Sequence, residues 1–282
     1  MGFRLGLVQP LAHRPPEDER NVADAVATVG RLAARGANVI AFPETYPGPW
    51  RTPVRFDPTQ ALAAAARRHG VYVGFGTLEA IDETSAYNRL VLATPLGETH
   101  VYRRTHPPGP WLYTGGPDWE FQYVAADDDF AVIPTEYGVF AQAMCSEVYM
   151  PEITRALALR GAEVILFPAG TDKRKLWETW RTLIWARAIE NLAIVVTTQN
   201  LWAPGERGLA MVATPEEILF ETTEPGEFII ELDLQRIRTM RADRDGPSSS
   251  IEYASKPGLL TQWQRPEMYH RFFPADIAPR SR

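Results

Sequence analysis

Residues 138–170 read GVFAQAMCSEVYMPEITRALALRGAEVILFPAG, and the fold follows from how they divide. Val139 to Met144 form a small apolar run that reads as a buried strand ending at Cys145, the chain's only cysteine. A polar step, Ser146-Glu147, follows. Pro151-Glu152 then opens a helical run to Arg160, because proline is tolerated in a helix's first turn. Gly161 ends that helix, and Val164 to Phe167 form a second apolar run. Strand, helix and strand, with both strands apolar throughout, predict a parallel pair buried on both faces. A lone thiol at a strand end, just before a helix, is where an α/β protein places a nucleophile.

This stretch has an echo. LAARGANVIAFP (32–43) and LALRGAEVILFP (157–168) agree at nine of twelve positions. Both read as helix end, glycine, buried strand, Phe-Pro. Two such halves predict two sheets packed together with helices outside; a chance likeness between two helix–strand junctions is the alternative. Working outward, Arg4 to Gln9 read as a first strand rather than a secretory signal. Glu17 to Arg35 form an amphipathic helix with Val22, Val26, Val29 and Leu32 on one face, and Val39 to Phe42 a buried strand ending in Pro43-Glu44. Thr59 to His69 and Lys175 to Asn191 read as helices. Val71 to Leu78, Asn88 to Thr94, His100 to Arg104 and Ala193 to Thr198 read as strands, and Leu209 to Leu232 as alternating antiparallel strands. Residues 105–123 form a Pro/Gly/aromatic-rich loop whose length points to function. The tail after Leu234 is rich in arginine and proline and shows no strong period.

Composition narrows the class. The chain has 282 residues, enough for one large α/β domain or two small ones. Its longest apolar runs fall well short of the roughly 18 residues a membrane span needs. One cysteine permits no internal disulfide, which fits a cytoplasmic location. A net charge of -6 argues against nucleic acid as a partner. Lys173, Lys175 and Lys256 are the only lysines; the remaining basic side chains are arginines and histidines.

Two residues carry the chemistry. Glu44 directly follows a buried strand, at the carboxyl end where α/β proteins place their sites, and a carboxylate there could take a proton from a thiol. Taken singly, Glu44 reads equally as a surface acid opening a loop, and Cys145 as a small core residue. Their combined context decides. FPE at Phe42 to Glu44, YRRTHP at Tyr102 to Pro107, the cysteine block from Cys145 to Ala169, and WARAIEN at Trp185 to Asn191 together resemble the nitrilase, or carbon–nitrogen hydrolase, superfamily. The resemblance runs from Arg4 to about Leu234. It implies an α/β four-layer αββα sandwich over residues 1–234, with 235–282 a tail that packs on the same domain or a neighbouring subunit. It further implies paired subunits in a homodimer or higher homo-oligomer, no metal and no organic cofactor. The chemistry it implies is thioester-forming hydrolysis of a non-peptide C–N bond, with Glu44 as base, Cys145 as nucleophile and the Ser146 N–H as an oxyanion donor.

One position departs from the family's pattern. Its Tyr-x-Lys-x-His lysine falls on Arg104, and no lysine lies between Glu44 and Cys145. Arginine keeps the charge and several donors, but with a pKa above about 12 it does not readily give up a proton, and its planar fork is bulkier. Three readings follow: Arg104 is a working substitute; the protein is a silent homologue that binds a small molecule or partner through the same pocket; or Lys173 reaches the site instead. A second glutamate common in the family's loop before the cysteine has no aligned counterpart in Asp118 or Glu120. His106 reads as structural. Glu147 sits where relatives carry an acid, and Glu152, Arg155, Arg187 and Glu190 read as buried ion pairs and helix anchors. Tyr46, Trp111, Tyr113, Trp119, Tyr149 and Met150 are the candidate substrate-binding wall, implying a substrate with an apolar or aromatic part. The expected reaction is hydrolysis of a small carboxamide with release of ammonia or an amine. Nitrile or N-carbamoyl amine hydrolysis is the nearest alternative.

Overall fold

The computed structural model describes residues 2–107, 122–127, 129–170, 176–242, 259–260 and 263–269. In chain order these form β1 (Gly2–Gln9), α1 (Arg20–Ala34), β2 (Val39–Ala41), α2 (Thr59–His69), β3 (Tyr72–Ala80), β4 (Ser85–Ala93), β5 (Thr99–Arg103) and β6 (Gln122–Tyr123). There follow β7 (Val132–Pro134), β8 (Val139–Gln142), a 3-10 turn (Cys145–Tyr149), α3 (Pro151–Leu159), β9 (Val164–Leu166), α4 (Trp177–Asn191) and β10 (Ile194–Thr197). The chain continues through β11 (Ala210–Ala213), β12 (Ile218–Thr222), β13 (Gly226–Asp233), α5 (Gln235–Ala242) and α6 (Pro266–Tyr269).

The strands form two sheets, ordered β13-β1-β2-β3-β4-β5 and β12-β11-β10-β9-β8-β7, with β6 added beside β4. The sequence echo maps onto this symmetry. β1 and β2 are parallel with Leu5 opposite Val39, and β8 and β9 are parallel with Phe140 opposite Val164. The helices between them end at Gly36 and Gly161, both at positive φ (89° and 102°), a backbone that glycine adopts without the Cβ clash. Each echo thus builds the centre of one sheet.

Alternation along the strands builds the layers. Phe3, Leu5 and Leu7, with Val39 and Ala41, face Phe140, Val164, Leu166, Ile194 and Val196 in a core between the sheets. The intervening side chains point outward. Val8, Ile40 and Phe42 pack under α1 and α2, and Ile165, Phe167 and Val195 pack under α3 and α4. The result is the αββα sandwich. Among the described residues, no helix is long and apolar enough to cross a membrane.

Two details differ from the sequence pattern. Helix α1 buries Asn21, Ala25, Thr28, Val29 and Leu32, leaving Val22 and Val26 at the rim. Asn21 turns inward because its amide pairs with both the N–H and the carbonyl of His13. The segment after Leu234 opens with α5, whose strongly polar composition hid it. Ile237 and Met240 are buried, and Arg238 pairs with Glu163 at 2.6 Å. Arg241 donates to the carbonyls of Ala162, Asn191 and Leu192, at 2.6, 3.2 and 2.9 Å. One guanidinium therefore caps the chain just beyond α3 and at the end of α4, where unpaired carbonyls accumulate. Burial lowers its pKa to about 10. Arg241→Ala is expected to cost about 2–4 kcal/mol, because charged hydrogen bonds are lost and buried carbonyls are stranded. Urea unfolding of the variant measures it.

Candidate active site

Glu44 follows the Phe-Pro end of β2, and the equivalent Phe-Pro end of β9 lies against the cysteine. The Cys145 N–H donates to the Pro168 carbonyl at 2.9 Å. Cys145 itself has φ of 49°, in the left-handed region, where a non-glycine residue stores about 1–3 kcal/mol of strain. That turn lifts the thiol off the end of β8 and starts the 3-10 turn through Ser146 and Glu147.

Arg104 follows β5 directly and is 1% exposed. Each of its nitrogens has a partner. Nη1 donates to Glu44 Oε1 at 3.0 Å, Nη2 to Ser146 Oγ at 2.6 Å, and Nε to the His106 carbonyl at 3.2 Å. The guanidinium therefore spans from the glutamate of the first half to the serine beside the cysteine in the second. A lysine's single nitrogen could not serve all three positions.

Asn88, on β4, was not singled out in the sequence. Its side chain donates to Glu44 Oε1 at 2.7 Å, and its carbonyl accepts the Arg104 N–H at 2.8 Å. Asparagine is depleted in strands, so a buried one at that position was a usable signal. Asn200, just beyond β10, donates to the Glu44 carbonyl at 2.8 Å. Gly170 leaves space beside the other glutamate oxygen: a Cβ there would lie 3.1 Å from Oε2. Tyr123 of β6 joins the group. Burial raises its pKa, Glu44 raises it further, and Arg104 opposes them. Its hydroxyl donates to the Trp50 carbonyl at 2.8 Å. It closes the long aromatic-rich loop, which was its only sequence signal.

Of the proposed wall residues, Tyr46, Tyr149 and Met150 are described. Tyr46 is buried in the layer between the first sheet and its helices, stacked on Phe42 at 5.4 Å, and its pKa is raised by that burial. Tyr149 is 46% exposed and meets Trp180 edge-on, while Met150 packs against the core beneath α3 and α4. Trp111, Tyr113, Trp119, Asp118, Glu120 and Lys173 lie outside the described residues. His106 is exposed, its Nδ1 paired with Thr105 Oγ1 at 2.8 Å. Of the expected anchors, Arg187 is buried, pairs with Glu190 and donates to the Val148 carbonyl at 2.9 Å. Arg155 donates to the Glu190 carbonyl at 2.5 Å. Glu152 instead is exposed in the first turn of α3, where a carboxylate favours the helix dipole. Among the described residues, no group of three or more His, Cys, Asp or Glu side chains could hold a metal.

Residues 4–242 match the family model described as carbon-nitrogen hydrolase. An (R)-stereoselective amidase of Pseudomonas sp. is 29% identical over 259 residues, covering 86% of this chain and 89% of that protein. A deaminated glutathione amidase of Synechocystis sp. is 26% identical over 246 residues, covering 80% and 90%. Among solved structures, a glutamate-to-glutamine mutant of the amidase from Nesterenkonia sp. AN1 superposes with a TM-score of 0.76 at 19% identity. It covers 96% of this chain and 97% of that one, and shows covalent addition of the acetamide moiety of fluoroacetamide at its active-site cysteine. At that identity the superposition establishes the fold.

Proposed function

The chain belongs to the carbon–nitrogen hydrolase family, and on that premise we propose that it hydrolyses a small carboxamide through a thioester on Cys145. One observation carries the reading: a single buried guanidinium joins Glu44 to the Ser146 turn that presents the cysteine. In this mechanism Glu44 takes the thiol proton and the Cys145 sulfur attacks the amide carbon. The carbonyl electron pair moves onto oxygen, beside the Ser146 N–H and the Arg104 charge. Collapse breaks the C–N bond, and the amine or ammonia leaves with the proton from Glu44. Water, deprotonated by Glu44, adds to the thioester carbon; the C–S bond breaks, the acid leaves, and the Cys145 sulfur takes the proton back from Glu44. No step asks Arg104 for a proton, which suits a guanidinium. Amidases among the relatives support amide over nitrile.

Intact-mass spectrometry with propionamide, benzamide, butylurea and propionitrile, followed alongside ammonia release, tests this. The expected result is an acyl adduct lost in Cys145→Ala, with ammonia released from the amides. An adduct that persists without turnover would place the defect of an arginine site in deacylation. Neither adduct nor ammonia from any compound would favour the silent, ligand-binding homologue.

A further inference from the structure

Glu147 is fully buried, and among the described residues no cation pairs with it. Its carboxylate is held by five donors instead. Oε1 accepts from the Tyr102 hydroxyl at 2.7 Å, the Thr105 N–H at 3.0 Å, the Thr105 hydroxyl at 3.1 Å and the His106 N–H at 3.1 Å. Oε2 accepts from the Met144 N–H at 2.9 Å. Four of the five donors come from the segment that carries Arg104, and the fifth comes from the residue before the cysteine. Every contact it makes is a donor, which suits an acceptor-only carboxylate. Burial and then Glu147 raise the pKa of Tyr102.

The contacts close a ring. Met144 and Glu147 bracket Cys145 and Ser146. Glu147 binds Thr105 and His106, the His106 carbonyl binds Arg104 Nε, and Arg104 Nη2 returns to Ser146. The Arg104 segment and the cysteine turn come from opposite sheets, so their spacing depends on whatever ties them together. Arg104 is tied by its own side chain; Glu147 ties the backbone on either side.

We infer that Glu147 is a positioning residue: it sets the distance between the Arg104 guanidinium and the Cys145–Ser146 turn, and thereby the strength with which the amide's oxyanion is held. This rests on the amide-hydrolase reading above. Glu147→Gln keeps the shape, but its NH2 must face either the Met144 N–H or the four donors of the Arg104 segment, so one end of the tie is lost. The readout is a comparison of two reactions at the same thiol. Alkylation by iodoacetamide needs the thiolate and forms no oxyanion, whereas turnover of propionamide or benzamide needs both. A merely structural loss of folded protein would slow both in proportion.

In Glu147→Gln, amide turnover is expected to fall about 100-fold, the scale for a misplacement near 1 Å, with alkylation slowed at least about tenfold less. Equal losses, or none, would overturn the inference while leaving the hydrolase reading intact. Wild-type protein that turns over no amide would overturn both. If Glu147→Gln does not fold, Tyr102→Phe decides, since it removes one donor and strands no partner. It is expected to lower turnover about fivefold at an unchanged alkylation rate; unchanged turnover would count against the clasp.

Discussion

Arg104→Met is expected to lower amide turnover by about 10³-fold and stability by about 3–5 kcal/mol. Glu44 and Arg104 form an ion pair whose side chains are 5% and 1% exposed. Removing one member of a buried pair leaves the other charge without its counter-ion in a low-dielectric interior, and that desolvation is what the stability loss measures. Asn88 would remain on Glu44 Oε1, but a neutral amide does not replace a charge. The turnover loss has a separate origin: in the proposed mechanism the cation beside the developing oxyanion is gone. Arg104→Lys separates the two effects. It retains the charge, so stability falls by about 1–2 kcal/mol, the scale of lost hydrogen bonds. Ser146 Oγ and the His106 carbonyl lose donors that one ammonium cannot replace, so turnover falls by about tenfold or more. Steady-state ammonia release and urea midpoints on the three proteins measure both quantities. A rise in turnover with lysine would mean that the pocket had not been rebuilt around arginine.

Gly76→Ala should be nearly as damaging although residue 76 takes no part in the chemistry. A Cβ at Gly76 would lie 2.2 Å from the Thr45 nitrogen, 2.8 Å from the Glu44 carbonyl carbon and 2.9 Å from the Glu44 Cα. All three atoms are backbone, so no side chain can swing aside; the Glu44–Thr45 peptide itself must move. The expected cost is about 3 kcal/mol, at the upper end for overpacking. Because the moved peptide carries the proposed base, turnover should also fall about 100-fold. Gly205→Ala is the matched control. Nothing lies within 4 Å of its Cβ, and only its positive φ is disfavoured, so a loss of about 1–2 kcal/mol and unchanged turnover are expected. Turnover within twofold of wild type in Gly76→Ala would contradict the close approach of β3 to the glutamate turn.

The site was legible in the sequence to differing depths. Glu44 and Cys145 each follow a short apolar strand, which local pattern sets, but singly each read equally as an ordinary residue; their roles came from the family resemblance. Arg104 was legible as a position, but its role was not. Whether an arginine there is a vestige or a bridge depends on Ser146, 42 residues away, and on Glu44, 60 residues away. Asn88 and Tyr123 carried weak local signals. The placement of Tyr46 was not legible. It sits two residues after Glu44, but the chain turns through Thr45 at φ of 54°, and the ring goes under the helices onto Phe42.

The sequence by itself determined the layered plan. Period-2 alternation with apolar side chains on both faces requires each central strand to be covered twice, once by the other sheet and once by helices. The repeated Gly-Ala-x-Val-Ile-x-Phe-Pro junction pointed to this happening twice, and the two sheets bear that out. These are consequences of neighbours within a few residues, so they survive without a structure. What only the tertiary structure decided is which polar groups meet across distant segments: the guanidinium fork, the five donors on Glu147, and Arg241 capping the chain after α3 and at the end of α4. Those pairings join segments tens of residues apart. They depend on sheet register and approach to within an ångström, because a hydrogen bond is lost over that distance.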